Sequence, residues 1–182
     1  MNYSQKKTNK KLLIYASHPI QYQAPIFREV SKNKQIGVTV MFGDDIGLKE
    51  VYSEGFDSII KWDVPLTKGY KHFFLKNLAK TKITGFLSRI NFGVFKSINP
   101  KEFDFILVHG YQTLTCWLIL LAAKLRGVKI ILRGEAIIKN NKGTKIKFFN
   151  RLIINLYLKR VDAVMYSCTG NYKYWKTFSI DE

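Results

Sequence analysis

Histidine, arginine and glutamate recur in this chain at one kind of place, directly after a short apolar run. His18 follows Leu12–Ala16 and Ser17, His109 follows Phe105–Val108, and Arg133, Gly134 and Glu135 follow Val128–Leu132. Imidazole can move a proton near neutral pH or hydrogen-bond a ligand, and a guanidinium beside a carboxylate can bind polar or anionic groups. A histidine at such a place is as readily a hydrogen-bonded structural residue. Two of the three histidines in the chain nevertheless fall there, beside Ser17, Gln21, Tyr22, Gly110 and Tyr111, so these residues are the binding candidates. Ser167, Cys168 and Thr169 follow a fourth run.

The elements that must position them alternate. Residues 11–16 read as a buried strand, 23–32 as a helix with Pro25 in its first turn, and 36–42 as a second strand. The pattern returns with a strand at 105–108, a helix at 113–125 closed by Gly127, and a strand at 128–132. A helix at 145–160, a strand at 163–166 and a helix at 169–178 follow. The stretch 44–101 is less regular, with a strand expected at 59–64 and a helix at 86–98. Near-continuous apolar strands between helices predict an α/β, Rossmann-like, doubly wound, mainly parallel sheet covered on both faces. Ligands of such sheets sit outside the carboxyl ends of the strands, where the candidates cluster. The expected organisation is a flexible basic N-terminus over 1–10 and one domain over 11–182.

Several chemistries lack their motifs. No two glycines are separated by one residue, which removes the dinucleotide fingerprint, and no Gly-Lys-Ser/Thr occurs, which removes the P-loop. No Asp-x-Asp is present to hold a metal against a sugar nucleotide; Asp44 and Asp45 are adjacent and would point apart if extended, so the expected site holds no metal and no cofactor. No Gly-x-Ser-x-Gly elbow accompanies the first strand. Two cysteines, Cys116 and Cys168, argue against a disulfide framework and fit the reducing cytoplasm. The apolar run after the N-terminal lysines is too short for an export signal, and none is long enough to cross a bilayer.

Charge is the extreme quantity: 30 Lys+Arg against 13 Asp+Glu, net +17 over 182 residues. It lies in blocks. No acid occurs between Asp63 and Glu102, where eight bases stand, nor between Glu135 and Asp162, where seven stand. Such concentration implies a directed anionic partner: nucleic acid, a lipid surface or a phosphorylated substrate. Within the second block, Phe149, Leu152, Ile153 and Leu156 read as a core stripe, and Lys147, Arg151, Ile154 and Leu158 as a second stripe mixing bases with apolar groups. That mixture suits an anionic membrane surface, unless the chain itself covers Ile154 and Leu158. Nucleic acid is the less favoured partner, because no nucleic-acid module fits a parallel α/β chain.

Taken together, residues 11–30, Asp104–Gly110, Leu132–Glu135 and Val161–Ser167 resemble, in order and spacing, the N-terminal half of bacterial family-4 glycosyltransferases of GT-B architecture. The resemblance implies an acceptor-binding half of a metal-independent, retaining enzyme. It would transfer a sugar from a sugar nucleotide, as co-substrate, to a glycan or lipid-linked acceptor in cell-envelope polysaccharide assembly at the inner face of the cytoplasmic membrane. It places the His18 turn under donor phosphates and acceptor, although the glycines common there are absent. His109 would border the transferred sugar, and Arg133, Gly134 and Glu135 the acceptor hydroxyls or a phosphate. His109 and Glu135 are its candidates for catalysis, Ser17, His18, Gln21, Tyr22, Gly110, Tyr111, Arg133 and Gly134 for substrate binding. In that family the C-terminal domain binds the sugar nucleotide, and the chain stops at Glu182, where the linker to it would begin, so the expectation is a truncated or split product, a fragment, or a subunit whose site a second chain completes. The expected partners are the sugar acceptor and an anionic membrane, with a donor-domain chain as well if the chain is such a subunit. The rival expectation is a non-catalytic basic module that binds membrane or nucleic acid.

Overall fold

The computed structural model describes residues 10–48, 51–53, 58–60, 64–80, 84–137 and 148–178. In chain order the elements are β1 (Lys10–Ala16), α1 (Ala24–Ser31), β2 (Ile36–Phe42), β3 (Val51–Ser53), β4 (Ser58–Ile60), β5 (Lys71–Phe74), α2 (Val94–Ser97), β6 (Phe105–His109), α3 (Leu114–Arg126), β7 (Lys129–Arg133), α4 (Phe148–Leu158), β8 (Ala163–Met165) and α5 (Thr169–Lys176). Strands β3 and β4 form a separate antiparallel pair. The other six make one sheet in the order β5-β2-β1-β6-β7-β8, every pairing parallel. The fold is the expected Rossmann-like α/β arrangement, and the strand order reverses between β1 and β6. Ile14 lies opposite Val40 on one side and Leu107 on the other.

Side chains alternate across each strand, so the sheet builds two cores. Leu13, Tyr15, Met41, Ile106, Val108, Ile130 and Leu132 face the layer that contains α2, α3, α4 and α5. Ile14, Ala16, Val40, Phe42 and Leu107 face the opposite way, onto Phe27 of α1. Because apolar residues occupy both faces of the central strands, they read as continuous runs. Pro25 stands in the first turn of α1, and Gly127 ends α3 with its N–H directed at the carbonyls of Ala123 and Lys124.

The irregular middle departs from expectation. A helix over 86–98 does not form; a 3-10 turn at Gly85–Ser88 and the four-residue α2 stand in its place. Side chains outcompete the helical ladder there. Asn77 Oδ1 accepts the N–H of Ile90 and Asn91 donates its backbone N–H to Thr115 Oγ1, while the Ile90 carbonyl accepts the N–H of Leu78, so these backbone groups are bonded outside any helix. The strand expected at 59–64 is β4, with 61–63 outside the described residues. Strand β5, at the sheet edge, was not anticipated by the apolar pattern. The N-terminus expected as 1–10 loses Lys10 to β1, and residues 1–9 lie outside the described set.

Helix α4 presents a different face from the expected one. Ile154 is 5% exposed and Tyr157 0%, and Leu158 packs against the same core, whereas Leu152, Ile153 and Leu156 are exposed. Ile154 and Leu158 therefore do not face a membrane, and Leu152, Ile153 and Leu156 are not a core stripe. The cause is Tyr157: its hydroxyl donates to the Cys116 carbonyl at 3.2 Å, and its ring meets Trp117 edge-on at 5.0 Å. Burying that large ring with its hydrogen bond satisfied turns the helix. Arg151 is exposed, donates to the Thr177 carbonyl and lies 6.0 Å over the Phe178 ring. Lys147 lies outside the described residues.

Candidate functional site

At the carboxyl ends of β1, β6 and β7 the sheet opens into a cavity of about 210 Å³ lined mostly by polar residues. Its lining comes from three loops: Ser17, Ile20, Tyr22 and Gln23 after β1, His109, Gly110 and Gln112 at the end of β6, and Arg133, Gly134 and Glu135 at the end of β7. Sheet register explains the convergence. His109 and Arg133 are cross-strand neighbours, and the reversal of strand order leaves no connection crossing above β1 and β6. Gly110 follows with a φ of 86°, a left-handed conformation glycine adopts without strain, and its N–H donates to the Arg133 carbonyl at 2.8 Å.

Burial and the Arg133 guanidinium push the His109 pKa down to about 4, so the ring is neutral at physiological pH. Its Nδ1 lies 3.2 Å from the amide nitrogen of Gln23, and its ring meets Phe27 edge-on. The other polar atom of each side chain, His109 Nε2 and Gln23 Oε1, is buried without a partner. Arg133, with a side chain only 16% exposed, holds Glu135 at 3.5 Å, and the Glu135 side chain is 52% exposed at the rim. The cavity thus offers a buried cation, a neutral imidazole and an amide to a polar ligand, with a mobile-length carboxylate at its mouth.

Behind this cavity Ser17 Oγ lies 2.9 Å from His18 Nδ1. Burial, then the positive charge of Arg89, lowers the His18 pKa, with Asp44 opposing. Asp44 and Arg89 form a mostly buried ion pair at 2.8 Å. Deeper still, Asn91 is 0% exposed and fully bonded. Its amide donates to the carbonyls of Gly43 at 2.8 Å and Lys76 at 2.9 Å, and its oxygen accepts from Thr115 Oγ1 at 2.9 Å. One side chain thereby ties the segments after β2 and β5 to the start of α3.

A second cavity, about 640 Å³ and mainly apolar, lies beside the first and shares Gln112 with it. Phe86, Tyr111, Trp117, Asn150, Ile153 and Ile154 complete its wall. Among the described residues no three His, Cys, Asp or Glu side chains gather into a metal-holding group.

The structure brings Ser17, Tyr22, His109, Gly110, Arg133, Gly134 and Glu135 around one cavity. Tyr111 lines the second cavity instead, and His18 and Gln21 line neither. Gln23 and Gln112, which also line it, were missed. Gln23 stands where α1 begins, with Pro25 just after it, and a polar residue there is aimed at the strand ends, but its partner is 86 residues away.

Gly134 is held by contact. A Cβ there would lie 2.5 Å from Cζ2 of Trp175, which is 3% exposed among Tyr111, Tyr174 and Phe178. The indole cannot retreat, so Gly134→Ala is expected to cost about 1–3 kcal/mol, the usual range for overpacking. Equilibrium urea unfolding measures it, and an unchanged midpoint would contradict the packing described.

No family model matches the chain, and no curated protein matches its sequence. Solved structures do match. A protein from Listeria monocytogenes assigned as a UDP-N-acetylglucosamine 2-epimerase is 20% identical and superposes with a TM-score of 0.53 over 94% of this chain and 43% of its own. This chain therefore spans less than half the length of that protein. A second structure, MT0777, is 11% identical over 93% of this chain and 94% of its own, at a TM-score of 0.45, and carries no argument. What the Listeria protein shows is the fold: a Rossmann-like α/β domain of GT-B-like kind.

Proposed function

We propose that this chain is the acceptor-binding half of a glycosyltransferase that uses a sugar nucleotide, with a separate donor-binding half completing the site. The observation that carries the reading is the cavity at the strand-order reversal, where Arg133, neutral His109 and Gln23 face a space of monosaccharide size. His109 and Arg133 hold acceptor hydroxyls, Ser17, Tyr22, Gly110 and Gly134 shape the pocket, and Glu135 is the carboxylate at the rim. The acceptor hydroxyl would attack the anomeric carbon of the donor sugar, with the nucleoside diphosphate leaving from the other half. The Listeria protein, named for a reaction on a UDP-sugar, supports a sugar-nucleotide-related enzyme of this shape.

Lipid-linked acceptors are favoured over free glycans because the apolar cavity adjoins the first one through Gln112. Leu152, Ile153 and Leu156, exposed on α4 beside Arg151, supply a face for an anionic membrane in place of the one expected from sequence. Among the described residues no helix is long and apolar enough to cross a membrane, so attachment would be peripheral.

The experiment is a binding panel read by NMR on the chain as it stands: simple glycosides, an isoprenyl-phosphate-linked sugar, UDP and anionic vesicles. The expected result is sugar-dependent shifts of His109 and Arg133 signals, with glycoside affinity weakened about tenfold in His109→Ala and Arg133→Ala, on the order of one hydrogen bond. Binding of UDP without glycosides would instead assign the donor-binding role. Binding of vesicles alone would leave a non-catalytic basic module.

A further inference from the structure

The pairing of Gln23 with His109 specifies which proton the histidine carries. Gln23 is 4% exposed and reaches from the start of α1 across the strand-order reversal to the residue that ends β6. Its amide nitrogen, 3.2 Å from His109 Nδ1, has hydrogens to give and no lone pair to offer. The nitrogen facing an amide donor must be unprotonated, and a neutral imidazole carries one N–H. We infer that Gln23 is a positioning residue that holds His109 in the Nε2–H tautomer, so the pocket presents a histidine donor and not a histidine base.

The unpartnered atoms agree in kind. His109 Nε2 is left as a buried donor and Gln23 Oε1 as a buried acceptor, both on residues that line the cavity. Both atoms are closed off from the cavity as it stands, so a hydroxyl that accepts from one and donates to the other reaches them only after side chains move, whereas a bare anion answers only the first. The groups around the ring are Arg133 from β7, Phe27 from α1 and Gln23 from the β1 loop, with Tyr22 and Glu135 at the rim. None is a carboxylate in contact with Nδ1, the arrangement that would favour the opposite tautomer.

This inference deepens the proposed function and rests on it for its consequence, but its test requires no ligand, so the two fail separately. Two-bond proton–nitrogen correlations on the isotopically labelled chain at pH 7 identify the protonated nitrogen, with the His109 signals assigned by their loss in His109→Asn. The expected pattern is protonation at Nε2 alone. Gln23→Glu replaces the donor with an acceptor, and it is expected to move the proton to Nδ1 and to raise the ring's titration by about one pH unit or more. Gln23→Leu removes the constraint and should leave both tautomers populated. An Nδ1–H or mixed pattern in the unaltered chain overturns the inference, even if the variants fail to fold. So does a folded Gln23→Glu chain that stays protonated at Nε2.

Discussion

Asn91→Asp, which changes one amide nitrogen to oxygen, is expected to destabilise the fold by about 4 kcal/mol or more, a large share of the roughly 5–15 kcal/mol that ordinarily holds a domain folded. The amide of Asn91 donates to two carbonyl oxygens, those of Gly43 and Lys76, at 2.8 and 2.9 Å with no access for water. A carboxylate would direct negative charge at both. Protonating it relieves the charge but restores only one of the two donors, leaving a carbonyl unsatisfied. Asn91→Ala removes the group without adding repulsion and is expected to cost less, about 3 kcal/mol, through the unpaired carbonyls and the released Thr115 hydroxyl. Urea unfolding at pH 7 measures both variants. An Asn91→Asp chain within 1 kcal/mol of the parent would show that the hub is not where the three segments are tied.

Stability is expected to fall on the acid side by up to about 3 kcal/mol through His109 alone. The sign follows from the direction of the shift. The folded pKa of about 4 lies below the ordinary value of 6.5 because burial and Arg133 oppose a charged ring. Above pH 6.5 both states are neutral at this group and it contributes nothing to pH dependence. Between 6.5 and 4 the unfolded chain takes up a proton that the folded chain refuses, so stability declines as pH falls, by at most about 1.4 kcal/mol per pH unit for one proton. His18, shifted the same way, steepens the decline. The backbone and Lys124 bonds that lower the Asp162 pKa act below this window. Unfolding free energies at pH 7.5, 6.5, 5.5 and 4.5 should diverge from those of His109→Asn, which keeps an acceptor toward Gln23 but cannot titrate. Parallel profiles for the two chains would remove His109 as the cause.

The parts of this molecule that were legible in its sequence are those in which one short segment decides alone. Strands β1, β2, β6 and β7 are apolar on both faces because both faces are covered, so the runs ended where the chain emerged, and His109, Arg133 and Glu135 were found by that end. Strand β5 escaped because Lys71-His-Phe-Phe74 is short, and its two exposed polar residues hide the period. The face of α4 was misread for the opposite reason: apolar residues occupy nearly its whole circumference, so periodicity could not choose, and the packing of Tyr157 on Trp117 did. Gln23 and Asn91 were invisible as partners. Their roles depend on residues 86 and 48 positions away, distances at which no local pattern operates.

That long separation also has a kinetic meaning. The reversal of strand order makes the pocket depend on β1 lying beside β6, a pairing that closes a long loop before any contact repays its entropy. Each strand–helix–strand half can gather locally, but neither owns a complete wall: Ser17, Tyr22 and Gln23 belong to one half, His109 and Arg133 to the other. The cavity is therefore complete only once the two halves have joined. A fragment carrying either half alone would lack part of the cavity wall.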